Sequence, residues 1–279
     1  MVMTVRTEAA ASDTGVAATI KIVLVVEYDG TRYNGFQWQS NLPTIQAEIE
    51  TAVEKLTGEQ LRIAAASRTD TGVHALGQVV SFRTTSPHTT DTFVNGLNYH
   101  LPQDIAVKAA HKVEDSFDVR RQATSREYKY RILNSTTRSP LIAANTYRVI
   151  GRLNVTAMNE ACRMLIGEHD LASFASDLGM DVKSTTRRII RAKFKREEPV
   201  LSGVEGELVT FDIEGSSFLP HQVRNTVGAL IRVGRGKMNC DDFNRILDAK
   251  KIGLAGPTVP ACGLCLTKVN YPHNIGEEK

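Results

Sequence analysis

Residues 61–84, LRIAAASRTDTGVHALGQVVSFRT, hold two β-prone runs on either side of a turn-forming segment. LRIAAAS and QVVSFRT are each predicted to be a strand. The loop between them is shorter than a parallel crossover needs, so the two strands are expected to be antiparallel. This stretch therefore predicts an antiparallel sheet, and the helices predicted elsewhere in the chain are expected to pack on one side of it.

Similar patterns continue in both directions along the chain. Strands are predicted at residues 20–30, 104–113, 127–133, 187–196, 207–215 and 263–271. Helices are predicted at residues 43–58, 90–101, 155–167, 219–234 and 241–250. This order predicts an α+β fold of two similar halves that form a positively charged central cleft.

A chain of 279 residues can form one large domain or two smaller ones, and the repeated pattern favours two. We expect a flexible N-terminal tail at 1–19, an N-terminal α+β domain at 20–118, a C-terminal α+β domain at 119–272 and a short tail at 273–279. The first tail lacks the apolar core of a secretory signal and is more acidic than most transit peptides, so the cytoplasm is favoured over an organelle. No run of about 18 apolar residues predicts a membrane span.

Four cysteines are too few for a disulfide scaffold, which indicates a reducing compartment. Cys262 and Cys265 form a lone C-x-x-C in a predicted strand, where positions three apart point to opposite faces, so zinc is not favoured. The chain also lacks a G-x-G-x-x-G array and a Walker-type lysine loop. We therefore expect neither a metal nor a cofactor.

The loop between the first two strands carries Arg68 and Asp70 next to Gly72, which permits a sharp reversal. A nearby cation keeps a carboxylate ionised, as a nucleophile requires. The same residues also fit a turn-capping aspartate in a surface ion pair. His74 follows closely, but a histidine at the start of a strand is more often structural, and it is not assigned a catalytic role.

Three further segments hold candidate residues. YDGTRYNGFQWQ, residues 28–39, interleaves four aromatics with amides and Arg32, a composition that suits base stacking and base-edge recognition but also a plain hydrophobic turn. In the helix at 219–234, Gly228 predicts close packing, and Arg224 lies on the face away from the apolar stripe. Arg126 and Tyr128 share one face of a strand, where tyrosines usually pack.

Two segments are rich in basic residues although the formal net charge is only +3. Residues 120–131 hold five basic residues, and residues 183–196 hold seven without an acidic one. Such charge is typical of solvated strands, but it also suits a phosphate backbone. These segments are therefore consistent with solvated surface strands and with a nucleic-acid partner.

The segments YDGTRYNGFQWQ, SRTDTGVHALGQVVSF, FDVRRQATSREYKYRI, IGEHDLASF and GSSFLPHQVRNTVGAL, followed by GLCL, resemble the tRNA pseudouridine synthase A family in the same order. The resemblance covers about residues 20–271. It implies isomerisation of uridine to pseudouridine in the anticodon stem-loop of tRNA, where the family targets nucleotides 38, 39 and 40, without metal or cofactor. It also implies a homodimer with tRNA crossing both subunits.

The resemblance assigns roles to individual positions. Asp70 is implied as the catalytic nucleophile, Tyr128 as the residue that stacks on the uracil, and Arg224 as the partner of the aspartate. Arg68 is implied to enter the RNA and hold the target nucleotide out of the stack. The further RNA-binding candidates are Tyr28, Arg32, Gln37, His74, Arg126, His169 and His221.

Two positions depart from the family pattern: Ser67 stands where glycine is common, and Thr71 where alanine is frequent. Both are small, so they bear on loop geometry and substrate range more than on the reaction. Attack by Asp70 at the sugar and stabilisation of a glycal-like species both require an ionised carboxylate, and both remain open.

Two other functions are alternatives to tRNA pseudouridine synthesis. The first is a non-catalytic RNA-binding or RNA-chaperone protein on the same scaffold, which would bind tRNA without forming pseudouridine. The second is a metal-dependent hydrolase that uses Asp70 with His74, for which the sequence shows no further ligand set.

Overall fold

A computed structural model describes residues 19–176, 178, 182–198 and 201–275. These residues contain ten strands and five α-helices. In chain order the elements are β1 Ile20–Tyr28, α1 Ile45–Thr57, β2 Ala64–Ala65, β3 His74–Thr84, α2 Thr90–His100, β4 Ile105–Val113, β5 Ser125–Asn134, β6 Tyr147–Val149, α3 Val155–Arg163, β7 Gly167–Asp170, β8 Thr186–Glu197, β9 Glu207–Gly215, α4 Gln222–Gly234, α5 Cys240–Ala249 and β10 Leu264–Asn270.

The strands form a single sheet in the order β4-β1-β3-β10-β5-β9-β8-β7, with β2 beside β3 and β6 beside β5. This confirms the predicted α+β class. Most neighbours are antiparallel, as predicted, whereas β10–β3 and β5–β6 are parallel. The last strand, β10, thus joins the two halves at the centre of the sheet.

The division into domains at 20–118 and 119–272 stays a prediction. Residues 1–18 and 276–279 of the two predicted tails lie outside the described residues. No helix among the residues that the structure describes is both long and apolar enough to span a bilayer.

Helix α1 shows how the sequence sets an element's limits. Thr44 caps its N-terminus by accepting the Ala47 N–H at 3.3 Å, and Gly58 ends it in a left-handed conformation. Ile49 and Val53, one turn apart, are completely buried in the core. Each such side chain contributes about 1.5–3 kcal/mol by leaving water, which anchors α1 to the sheet.

The prediction of a strand over residues 61–67 was wrong in length, because only the two residues of β2 pair with β3. Side chains bind the neighbouring backbone instead: Glu50 accepts the Ile63 N–H at 3.0 Å, and Gln78 donates to the Ser67 carbonyl at 2.7 Å. These bonds replace sheet pairing and turn the chain into the loop that follows.

Other limits also differ from the predictions. Helix α3 ends at Arg163, and α4 begins at Gln222, because His221 has a φ of 59° that interrupts a right-handed helix. The short strands β6 and β7 were not predicted. The close packing predicted at Gly228 is confirmed, since a Cβ there would lie 2.3 Å from the Pro257 carbonyl oxygen.

Candidate active site

The loop of residues 66–73, which we call the Asp70 loop, is held close to the segment after β1. The Phe36 N–H donates to the Thr69 carbonyl at 3.0 Å, and a Cβ on Gly35 would lie 2.8 Å from that same oxygen. Gly72 has a φ of 77°, as the predicted sharp reversal requires. The loop is therefore rigidly positioned by its backbone.

Asp70 meets two basic side chains from the start of α4. Arg224 Nη1 lies 3.3 Å from Asp70 Oδ2, and His221 Nε2 lies 3.6 Å from the same oxygen. The Arg224 Nε donates to the Val259 carbonyl at 2.8 Å, which fixes the direction of the guanidinium. The Asp70 side chain is 27% exposed and that of Arg224 16%, so this ion pair is partly shielded from water.

Both residues line a cavity of about 790 Å³ between the Asp70 loop, β5 and the start of α4. Arg68 also lines this cavity and is exposed. Six arginine and lysine side chains, His221 and one carboxylate occur among the lining residues that the structure describes. The arginines and lysine are Arg68, Arg120, Arg126, Lys183, Arg187 and Arg224, and the carboxylate is that of Asp70.

Tyr128 lies in the wall of this cavity and is 6% exposed. Its hydroxyl is 2.8 Å from the Ser67 hydroxyl, and its ring meets Phe218 edge-on with centroids 5.2 Å apart. Burial, opposed by the Ser67 hydrogen bond, raises the pKa of Tyr128 to about 12. Tyr128 is thus a neutral phenol whose ring packs nearly perpendicular to that of Phe218.

Tyr28 lies beneath the Asp70 loop rather than at its surface. Its hydroxyl is 2.8 Å from that of Thr69, and Gln78 Nε2 approaches it at 3.4 Å. Burial raises the pKa of Tyr28 far above its usual value. Tyr28, Thr69 and Gln78 therefore support the loop from below.

Arg126 lines the cavity, and its guanidinium donates four hydrogen bonds to backbone carbonyls. Nη1 donates to Ala123 at 3.2 Å and Ser216 at 2.8 Å, and Nη2 donates to Ala66 at 3.1 Å and Arg120 at 2.8 Å. The residue is 7% exposed, and burial lowers its pKa. Arg126 therefore ties the start of the Asp70 loop to two distant segments.

His74 does not line the cavity and is 4% exposed. Its Nδ1 lies 3.2 Å from the Gly30 nitrogen and 3.0 Å from Asp29 Oδ1, and its Nε2 lies 3.0 Å from the Ala144 carbonyl. These contacts join segments from both halves of the chain, which gives His74 a structural position.

Three other predicted RNA-binding residues also lie outside the cavity lining that the structure describes. Arg32 is exposed and pairs with Asp104 at 2.6 Å. Gln37 is exposed, and His169 on β7 lies 3.1 Å from the Ile166 carbonyl. The cavity brings together Asp70, Arg68, Tyr128, Arg224, His221 and Arg126, but not these three.

The two basic segments divide between the cavity and the sheet. Arg120, Lys183 and Arg187 line the cavity. Arg191 instead pairs with Glu127 at 2.8 Å, and Lys195 pairs with Glu197 at 2.6 Å, in the ordinary solvated-strand arrangement. The solvated-strand interpretation is therefore confirmed for Arg191 and Lys195, whereas phosphate binding by the cavity-lining residues stays a prediction.

Sequence reasoning missed the contacts of Phe218, Gln78 and Thr69. Phe218 stands three residues before His221 in a segment already singled out, and Gln78 is a polar residue in an otherwise apolar strand pattern. Both signals are visible in the sequence, but their partners are not.

The four cysteines carry free thiols, with Cys265 buried in β10 and Cys262 in the turn before it. Among the described residues, no cluster of three or more His, Cys, Asp or Glu side chains is arranged to hold a metal ion.

A family model described as tRNA pseudouridine synthase matches residues 24–120 and 161–272. The chain is 42% identical to tRNA pseudouridine synthase A of Geobacter sulfurreducens over 253 residues. This match covers 91% of this chain and 99% of the relative. The chain is 40% identical over 250 residues to the protein of the same name from Acetivibrio thermocellus, covering 90% and 99%. The corresponding Roseiflexus sp. protein is 43% identical over 254 residues and covers 91% of each chain.

Proposed function

This chain belongs to the tRNA pseudouridine synthase family, and we propose that it isomerises uridine to pseudouridine in tRNA with Asp70 as its catalytic carboxylate. One observation carries the proposal for Asp70. Its carboxylate, on a rigid loop, lies 3.3 Å from Arg224 inside a cavity that Tyr128 also lines.

The reaction breaks the bond between N1 of uracil and C1′ of ribose and forms a bond between C5 and C1′. C5 loses its proton and N1 gains one, so the product is an isomer and neither water nor an electron carrier is consumed. Asp70 acts as an ionised group, either by attacking C1′ or by assisting proton loss from the ribose. Arg224 stabilises that ionised form.

The target base must leave its stack before it enters the cavity, which costs a few kcal/mol. Arg68, an exposed residue of the cavity lining, then occupies the vacated space. Tyr128, held by Ser67 and Phe218, presents an aromatic ring within the cavity for the flipped uracil. The basic lining residues then meet the phosphates on either side, so affinity for tRNA falls steeply with salt.

The substrate site and assembly are also part of the proposal. The resemblance of the five sequence segments supports the anticodon stem-loop as the target and a homodimer as the active form. Four free thiols fit a cytoplasmic protein. Pseudouridine mapping in tRNA from a strain that lacks the gene tests the target, because unmodified uridines should appear in that stem-loop and be restored by the wild-type gene.

Tritium release from tRNA that contains 5-tritiated uridine tests the reaction. The wild type should release tritium, and Asp70→Asn should bind tRNA but release none. Asp91→Asn, at an exposed position in α2, is the matched control and should behave as the wild type. Substantial turnover by Asp70→Asn would reject the role of Asp70, and binding without any pseudouridine in the wild type would indicate a non-catalytic RNA-binding protein.

A further inference from the structure

We propose that Trp38 and Arg62 form a stacking site for an unpaired nucleobase of the RNA substrate, outside the catalytic cavity. This inference rests on the proposed function, because it assumes that RNA approaches the Asp70 loop. We call the two side chains the Trp38–Arg62 shelf.

Trp38 is the exception among the four aromatics of residues 28–39. Tyr28, Tyr33 and Phe36 are 3%, 4% and 2% exposed, and each packs in the core. Trp38, the only tryptophan of the chain, is 44% exposed. The Arg62 guanidinium carbon lies 4.6 Å from the centroid of its ring. One side of the indole is therefore backed by a cation, while nearly half of the residue stays accessible.

Helix α1 holds both members of the shelf in place. Gln46 accepts the Trp38 backbone N–H at 3.0 Å and donates to Glu50 Oε1 at 2.7 Å. Glu50, one turn later, accepts from Arg62 Nη1 at 2.7 Å and from the Ile63 N–H at 3.0 Å. A stacking surface that is already ordered loses little conformational entropy when a ligand binds.

The shelf is connected directly to the Asp70 loop from both sides. Trp38 stands two residues after Phe36, and the Phe36 N–H donates to the carbonyl of Thr69, the residue before Asp70. Chain geometry therefore keeps the Cα atoms of Trp38 and Asp70 within roughly 18 Å of each other. Arg62 lies just before Ala65 and Ala66, which line the cavity. An RNA strand with one base in the cavity can thus place another base, a few nucleotides away, on the shelf.

The chemistry of the shelf favours a nucleobase over an apolar protein surface. An indole offers a stacking face to any base, and an adjacent guanidinium attracts the phosphate backbone. The base must be unpaired, because both faces of a paired base are occupied by its neighbours in the helix. A loop nucleotide of the tRNA has this property.

Fluorescence of the single tryptophan provides a direct test. In the full chain carrying Asp70→Asn, which prevents turnover, tRNA should quench Trp38 emission to saturation, whereas a plain RNA duplex should quench it much less. Trp38→Ala should raise the Kd for labelled tRNA about tenfold, within the range for loss of one stacked base, and Trp38→Phe should recover most of the affinity. Tyr99→Ala, which removes an aromatic ring that is 85% exposed on α2, should leave the Kd unchanged.

In the otherwise wild-type enzyme, Trp38→Ala should raise KM by a similar factor and change kcat less than twofold. Thermal unfolding of Trp38→Phe and Trp38→Ala shows whether both variants fold. Unchanged emission at saturating tRNA, or tight binding by a folded Trp38→Ala, would overturn the shelf even if the wild type releases tritium. If tRNA quenches Trp38 emission but the wild type releases no tritium, the shelf is retained and the proposed reaction is rejected. An emission change with protein concentration alone would assign the surface to a second copy of the chain and overturn the proposal.

Discussion

The guanidinium of Arg224 reaches the carboxylate of Asp70 across 154 residues of sequence, with Nη1 3.3 Å from Oδ2. The same side chain uses Nε to bind the Val259 carbonyl at 2.8 Å. Arg224 is therefore held at one end by backbone and offers its other end to the carboxylate.

Replacing Arg224 should reduce catalysis by removing the cation that lies against the Asp70 carboxylate. Arg224→Gln should lower kcat about 100-fold, as expected when one electrostatic contact in a site is lost. Arg224→Lys keeps the charge but has no planar fork to bind both partners, so it should recover only part of the rate. Tritium-release rates of the variants and the wild type test this, with the exposed Arg245→Gln as control. Full activity of Arg224→Gln would contradict it.

Tyr128 should stay protonated throughout the pH range in which the enzyme is assayed. Burial raises its pKa to about 12, so the phenol carries its proton below roughly pH 11 and ionises only above that. The kcat for tritium release should therefore show no basic limb from this residue between about pH 7 and about pH 10. Tyr128→Phe should keep the shape of the wild-type profile in that window. A basic limb that disappears in Tyr128→Phe would show that the phenol titrates there.

Gly228→Ala should destabilise the protein and weaken catalysis together. The new Cβ would lie 2.3 Å from the Pro257 carbonyl oxygen, so helix α4 or the segment that leads to Val259 must move, at a cost of about 1–3 kcal/mol. Gly96→Ala in α2 is a matched control, because its Cβ would lie 2.6 Å from a methyl carbon at the flexible end of the Leu56 side chain, which can shift. Alanine also favours a helix over glycine by about 1 kcal/mol. Urea unfolding and tritium release compare the two. Equal stability of both variants would be inconsistent with this packing.

Arg126→Lys should cost stability although the charge is kept. A lysine ammonium has three donors on one atom and cannot reach the four carbonyls that the guanidinium binds, so buried acceptors lose partners at roughly 1.5–3 kcal/mol. Arg83→Lys, at an exposed ion pair with Asp115, should leave the urea midpoint unchanged. If Arg126→Lys unfolds at the wild-type midpoint, the four carbonyls do not depend on this side chain.

The periodic elements could be predicted from the sequence because their signals are local. The apolar spacing and caps of α1, and the alternation that puts Arg126 and Tyr128 on one face of β5, are visible in short windows. The order of the strands in the sheet is not visible in short windows, because β10 pairs with β3, which lies most of the chain away in sequence. Periodicity contains no information about which distant strands become neighbours.

The candidate site could likewise be predicted only in part. Asp70 and Arg224 stand in segments that resemble one family, so their pairing could be expected before the structure. The buried positions of Tyr28 and His74 could not be expected from the sequence, because their partners, Thr69 and Ala144, belong to other segments of the chain. A tyrosine or histidine in a polar motif looks the same in sequence whether it supports a loop or faces RNA.

The central place of β10 also constrains how the protein is made. A ribosome synthesises β3 and β5 long before β10, so the stretches of β3 and β5 that pair with β10 have no strand partner until translation is nearly over. The wall that carries Tyr128 is therefore completed late, when the C-terminal segment inserts between them. A nascent chain that stalls before residue 264 would hold most of the sheet and yet leave its two halves unjoined.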